Sequence, residues 1–150
     1  MVDASVHHQG PIPPAERDAY DELCGYTLTH PGLTFVHQHV VDAFAAQHAT
    51  AQSKPIQLTF ALVGLYLHCD RQFTGRQVQR AHMTLARRKR AWPAFVLPAE
   101  RGRVTAVQVL GAPAGDERDR AIDAWCASVW AAYASAAPAV KALLREFDIV

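Results

Sequence analysis

The distribution of apolar and polar positions along the chain predicts α-helices arranged around one apolar segment. Residues 55–70 read PIQLTFALVGLYLHCD and carry no formally charged side chain before the final aspartate. Their apolar residues fall on every side of a helical wheel, which is typical of a helix at the centre of a packed structure. At about 15 residues the segment is shorter than the roughly 20 that a transmembrane helix needs. We therefore predict a central core helix whose chemically interesting residue is His68.

Periodic apolar positions predict further helices before and after this segment. The first begins near Pro14, has acidic residues in its first turn, and should end at Gly25. Thr74 is placed to cap a later helix. Residues 92–113 are interrupted by proline and glycine, so we expect an irregular segment packed on the bundle, with either a short strand or a helical turn at 104–110. The predicted helices cover about 14–24, 34–48, 55–70, 75–92, 116–137 and 139–147.

In the helix predicted over 34–48, one face is marked by side chains at spacings of three and four residues. His37 and His48 lie on this face together with two valines and a phenylalanine. Asp42 and His39 fall towards the other side. We expect His39 to point away from the core.

The composition indicates one globular domain. Half of the 150 residues are apolar and 19% are charged. We predict a flexible lead-in over 1–12, then a single-domain all-α bundle of five or six helices over 13–150. The formal net charge of +1 gives no overall reason to expect a nucleic-acid or membrane partner. Three cysteines without a CxxC pair are poor material for a disulfide framework and favour a cytoplasmic location.

The histidines provide the candidate chemistry. If the second and third predicted helices form a hairpin, His37 and His68 lie level on faces that we expect to be buried. Cys24 of the first helix reaches a similar level. Cys and His ligands suit zinc, and adding Asp42 or Asp70 would suit iron or manganese. The structural alternative, in which each histidine is a core side chain bound to a carbonyl or a tyrosine, carries more weight because no HExxH or similar ligand motif is present.

Two further histidines are secondary candidates for this metal site. His48 lies eleven residues after His37, about 16 Å along one helix, so the two cannot share a metal. In the predicted packing, His82 lies at the same height as Val63, more than one helical turn from His68. The sequence also contains no GxSxG elbow, glycine-rich phosphate loop or dinucleotide fingerprint.

A run of basic residues over 76–90 forms the second candidate site, which could bind phosphate or a protein partner. Acidic residues that open a later helix could neutralise it internally: Asp116, Glu117, Asp119 and Asp123. No aromatic residue interleaves the arginines as a base-stacking surface requires, so we do not expect nucleic acid as a partner. The arginines that share one helical face are Arg76, Arg80, Arg87 and Arg90.

Four runs of the sequence resemble the signature segments of a bacterial family of small helical proteins of unknown function. They are FVHQHVVDAFAAQH, TFALVGLYLH, RAWPAFVLP and IDAWCASVWAAY. The resemblance covers roughly Tyr20 to Leu144 and implies a bacterial, cytoplasmic protein, with no activity to carry over. Many members begin with a CxxC-type stretch, where this chain has only Cys24-Gly25.

Two hypotheses for the function follow from the sequence. The first is a helical bundle that binds zinc or iron through core histidines and acts on a small molecule. The second is a non-enzymatic interaction module that uses the Arg76–Arg90 face or the aromatic face of Trp125 and Trp130 for a protein partner. Enzymatic activity and homo-oligomerisation stay open, and no membrane partner is expected.

Overall fold

The chain has an all-α fold over the residues that the structure describes. A computed structural model describes residues 11–30, 34–88 and 91–150, so all but the last two residues of the predicted lead-in lie outside them. The described residues form seven α-helices, one short 3₁₀ helix and no β-strand, which confirms the predicted class. The helices are α1 (Pro14–Thr29), α2 (His37–Gln47), α3 (Pro55–Arg71), α4 (Gly75–Arg88), α5 (Ala106–Gly111), α6 (Asp116–Ala132), the 3₁₀ helix (Ala134–Ala136) and α7 (Ala137–Glu146).

Helix α3 lies at the centre of the bundle, as predicted. Every residue from Ala61 to Leu67 is buried, and α3 contacts α2, α4, α6 and α7. Pro55 occupies its first turn, where a missing N–H is tolerated. Neither α3 nor any other helix in the described residues combines the length and the apolar character needed to cross a membrane.

Helix α2 is buried on more sides than its periodic pattern predicted. His39, which we expected to face away from the core, has only 4% of its surface exposed, and Asp42 has 3%. The expectation was wrong because α2 contacts α1, α3, α4 and α6, whereas a periodic pattern assumes a single buried face. Polar side chains of α2 are therefore enclosed by neighbouring helices.

Helix α1 continues one turn beyond its predicted end. It passes through Gly25, which is exposed and would have space for a Cβ atom, and it ends at Thr29. The next residue, His30, precedes Pro31 in the sequence. A residue before proline disfavours the helical conformation, so this dipeptide determines the end of α1 better than the glycine does.

Two helices begin with capping boxes. The Thr74 hydroxyl accepts from the Gln77 backbone N–H at 3.2 Å, while Gln77 Oε1 accepts from the Thr74 N–H at 2.8 Å. Thr105 and Gln108 form the same pair at the start of α5. The Thr74 cap is confirmed, and the segment at 104–110 contains a helix where the sequence left strand and helix open. This short helix brings the number of α-helices in the described residues to seven, rather than five or six.

A buried arginine fixes the irregular segment before α5. Arg101 is 3% exposed, and its Nε donates to the Pro98 carbonyl at 3.0 Å. Its Nη1 donates to the carbonyls of Gln47 and Ala49 at the end of α2. The Gln47 side chain in turn accepts from the Trp125 indole N–H at 2.9 Å. A guanidinium at a helix C-terminus satisfies unpaired carbonyls and complements the helix dipole, so this contact joins the segment to the bundle.

Candidate functional site

The residues predicted to hold a metal have separate partners in the structure. His37 Nδ1 lies 2.9 Å from the Thr27 hydroxyl oxygen. Cys24 interacts with Tyr20 one helical turn away, and burial raises the pKa of both groups. His68 contacts other groups, described below. No group of three or more His, Cys, Asp or Glu side chains in the described residues is arranged to hold a metal ion. The zinc or iron centre gains no support from this donor set and stays a prediction.

His68 lies between a second imidazole and a carboxylate. The His39 ring stacks on it with centroids 3.6 Å apart, and His68 Nε2 lies 2.9 Å from Asp123 Oδ1. Burial and then the neighbouring His68 lower the pKa of His39 to about 3. His68 Nδ1 lies 3.4 Å from the Phe73 carbonyl oxygen. Carboxylate and carbonyl oxygens both accept, so both hydrogen bonds form together only on a doubly protonated ring.

This histidine pair lines an open cavity of about 480 Å³ between α2, α3 and α6. Asp123 has 62% of its side chain exposed, so its ion pair contributes little. Burial raises the pKa of the adjacent Cys69 to about 12, which keeps the thiol protonated and a poor nucleophile. Asp70 does not line this cavity, and its Oδ2 accepts from the Trp130 indole N–H at 3.2 Å.

The other secondary candidates line a second, larger cavity. Asp42, His48 and His82 all lie on the wall of a cavity of about 550 Å³ between α1, α2, α3 and α4. His48 is the C-cap residue of α2, and its ring centroid lies 4.5 Å from that of Phe44. The sequence analysis grouped these residues only as secondary candidates for the metal site around His68. The packing of α2 and α4 around α3 instead brings them to a separate space. We call this space the α1–α4 cavity.

Asp42 is a buried carboxyl group at the wall of the α1–α4 cavity. Gln38 Nε2 donates to its Oδ1 at 3.0 Å, while Oδ2 has no hydrogen-bond partner in the described residues. Gly64 of α3 makes room for this group, because a Cβ there would overlap Oδ2. Burial raises the pKa of Asp42 well above its ordinary value, and the Gln38 hydrogen bond only partly opposes this. The carboxyl group therefore keeps its proton at pH values where an exposed aspartate is ionised.

His82 supplies an imidazole in a defined tautomer. Its Nε2 lies 2.8 Å from the Phe60 carbonyl oxygen, so Nε2 carries the proton of the neutral ring and Nδ1 is the acceptor. The ring stacks on that of Phe60 with centroids 4.7 Å apart. Burial lowers the pKa of His82, and the hydrogen bond to Phe60 opposes the shift. Within the described residues, Nδ1 makes no hydrogen bond.

Aromatic rings of Tyr20, Phe44 and Phe60 contribute to the remaining wall of the α1–α4 cavity. Tyr20 and Phe44 stack with centroids 3.9 Å apart and an interplanar angle of 10°. The exposed Arg17 places its guanidinium carbon 5.3 Å from the Phe44 ring centroid. Aromatic surface with a few convergent polar groups is typical of small-molecule sites.

The aromatic face predicted to bind a partner belongs to the core. Trp125 is 0% exposed and Trp130 is 8% exposed. The prediction was wrong because α6 packs against α2 and α3, so its apolar face covers the centre of the bundle. The Trp125 indole is bound internally by Gln47.

The arginine face of α4 is exposed. We use this name for Arg76, Arg80 and Arg87, because Arg90 lies outside the described residues. The acidic residues that open α6 form no ion pair with it. Among the described residues, Asp123 pairs with His68 rather than with an arginine of α4.

A comparison with known protein families matches residues 14–134 of the chain. The chain belongs to the family of unknown function DUF5946. Asp42, His68 and His82 all lie in the matched region. No match is found among curated proteins, and none among solved structures. A family without an assigned activity leaves the function to be argued from the site itself.

Several residues of these two sites have no strong sequence signal. His39 and Asp123 were missed because their contacts to His68 cross between helices. For Asp42 a signal was available, since it is the one formally charged residue between Thr34 and Thr50. A lone carboxylate in an apolar helix is expected either on an exposed strip or in a polar cavity, and only packing distinguishes the two.

Proposed function

We propose that the protein binds a small, planar, uncharged molecule in the α1–α4 cavity. The observation that carries this proposal is a carboxyl group and an imidazole on the same cavity wall, with pKa values moved in opposite directions by burial. Asp42 has its pKa raised and His82 has its pKa lowered. Titratable groups perturbed by burial in a cavity are typical of functional sites.

Both shifts favour the uncharged form, which gives the cavity a neutral donor in the Asp42 carboxyl group and a neutral acceptor in the His82 imidazole. The protonated carboxyl group of Asp42 can donate a hydrogen bond, and the Nδ1 atom of His82 can accept one. A ligand that pairs with both must offer an acceptor and an N–H or O–H donor. Carboxamides and lactam-type heterocycles have these groups in one plane.

The dimensions and walls of the cavity suit the same class of ligand. Small-molecule sites usually measure about 300–1,000 Å³, and this cavity measures about 550 Å³. The side chains of Tyr20, Phe44 and Phe60 line the cavity and give its wall an aromatic, apolar surface, which suits an aromatic ligand. A neutral acid and a neutral base that line the same cavity supply the proton donor and acceptor that acid–base chemistry on the bound molecule requires.

Ligand-observed NMR with three probes tests the proposal. Benzamide and 2-pyridone carry the required donor and acceptor, whereas toluene has similar flat apolar surface without them. We expect the two polar probes to bind more tightly than toluene, and His82→Phe and Asp42→Leu to remove that preference. Asp42→Asn keeps a neutral donor and should retain binding.

A matched control uses the other cavity. His68→Gln changes a histidine outside the α1–α4 cavity and should leave probe binding unchanged. Circular dichroism spectra establish that each variant is folded. Equal binding of toluene and benzamide, or unchanged benzamide binding in both His82→Phe and Asp42→Leu, would refute the proposed site.

A further inference from the structure

The arginine face of α4 has the charge and spacing to follow a phosphate backbone. Its three arginines are exposed, and no carboxylate in the described residues forms an ion pair with them. With a rise of about 1.5 Å per residue, Arg76 and Arg80 lie about 6 Å apart along the axis, and Arg80 and Arg87 about 10 Å. Guanidinium groups bind phosphate through two parallel hydrogen bonds, which an ammonium group cannot do.

An aromatic groove adjoins this face. Arg80 lines a groove of about 320 Å³ together with Phe73, which follows α3, and Phe147, which follows α7. The aromatic groups that the sequence lacks within α4 are therefore supplied by other parts of the chain. Two arginines of α4 also lie over phenylalanine rings, Arg76 at 4.6 Å from the Phe35 centroid and Arg88 at 5.1 Å from the Phe147 centroid.

The polar residues of the groove favour a base over a phosphate. Asp148 is one of its lining residues, and a carboxylate at this position repels phosphate and can accept from amino or imino groups of a nucleobase. Gln77 and Thr84 line the same groove. The Gln77 oxygen accepts from the Thr74 N–H, so its amide nitrogen remains a donor.

We propose that the arginine face and this groove bind single-stranded nucleic acid. The arginines contact phosphates along the strand, and one unpaired base enters the groove beside Phe73. This interaction is separate from the binding proposed for the α1–α4 cavity. It uses a local charge pattern, which a net charge of +1 for the whole chain does not reveal.

Two alternative partners fit the surface less well. A duplex offers the same phosphates but keeps its bases stacked, so it cannot fill the groove. An anionic membrane surface would require several exposed apolar side chains among the arginines. Met83 is the large apolar side chain that the described part of α4 exposes.

Fluorescence anisotropy with a fluorescein-labelled 12-nucleotide oligo-dT tests the proposal on the full chain. Three phosphate contacts to a single strand predict a slope of about −2 for log K against log salt. Arg80→Gln/Arg87→Gln should reduce the slope to about −0.7, since each lost contact removes about 0.7. The charge-matched control Arg103→Gln/Arg145→Gln changes exposed arginines outside α4 and should leave the slope unchanged.

An abasic 12-nucleotide strand tests the groove without altering the protein. It keeps the phosphates but has no bases, so we expect its affinity to be roughly 5- to 150-fold lower than that of oligo-dT. Equal affinity for the abasic strand and for oligo-dT would overturn the proposal that the groove binds a base. An unchanged slope in Arg80→Gln/Arg87→Gln, equal or tighter binding of a 12-base-pair duplex, or binding to phosphatidylserine vesicles without binding to oligo-dT overturns the proposal.

Discussion

Replacing Asp42 by asparagine should make the protein more stable at neutral pH. The buried carboxyl group is protonated in the folded chain, because burial raises its pKa well above the ordinary value. In the unfolded chain it ionises with a pKa of about 3.9. Between the unfolded-state and the folded-state pKa values, folding therefore requires a proton to be taken up by this group. Asparagine has nearly the same shape, keeps the oxygen that accepts from Gln38, and has no proton to bind.

The sign and size of the effect follow from proton linkage. Above about pH 4 the folded state binds more protons at Asp42 than the unfolded state, so rising pH lowers the free energy of unfolding. The decrease approaches about 1.36 kcal/mol per pH unit and stops once the pH passes the folded-state pKa. The stability difference between Asp42→Asn and the wild type should therefore grow by about 1.3 kcal/mol between about pH 4.5 and 5.5. Titration of other groups occurs in both proteins and largely cancels.

Urea denaturation followed by tryptophan fluorescence measures this difference across the pH range. Asp18→Asn is the matched control, because Asp18 is exposed on α1 and should parallel the wild type. A stability difference that stays constant with pH, or that shrinks as pH rises, would refute the assignment of Asp42 as a protonated buried acid. Lower stability of Asp42→Asn at neutral pH would mean that the carboxylate is ionised and compensated in the folded protein.

Three further substitutions test the packing of the bundle by urea denaturation. Arg101→Met should lower the free energy of unfolding by about 2–4 kcal/mol, because it leaves buried carbonyls at the end of α2 without a donor. The exposed Arg103→Met is its control, and an equal loss in both variants would contradict the capping role of Arg101. Gly64→Ala should lower the free energy of unfolding by about 1–3 kcal/mol, because the added methyl group overlaps the Asp42 carboxyl group. In an Asp42→Ala background the same substitution should cost much less, and an undiminished loss would show that the overlap is with another group. Asp123→Asn should lower the free energy of unfolding by less than about 1 kcal/mol, because the ion pair of Asp123 with His68 is exposed. A larger loss would show that this pair is shielded from solvent.

Features set by neighbouring residues in the chain were predictable from the sequence. The uncharged segment before Asp70 determined that α3 lies in the core, since no side of it could face water at low cost. The Thr74 cap depends on Gln77 three residues later, and both lie in the same turn. Gly25 shows the limit of such rules, because α1 passes through it and ends before Pro31 instead.

The candidate sites were decided by contacts between helices. His39 rather than His37 stacks on His68, and Asp42 lies against Gly64 of α3. The position of a residue along its predicted helix indicates which residues of neighbouring helices lie at the same height in the bundle. The rotation of each helix about its axis determines which of those side chains are in contact.

The sequence by itself thus determined that the chain forms an all-α bundle around α3, and which titratable and basic residues this bundle contains. The tertiary structure alone decided that Asp42 and His82 line one cavity and that Phe73 and Phe147 lie beside Arg80. The physical reason is that helix formation depends on hydrogen bonds and capping within a few residues. The rotation and spacing of packed helices, by contrast, depend on how all their side chains fit together.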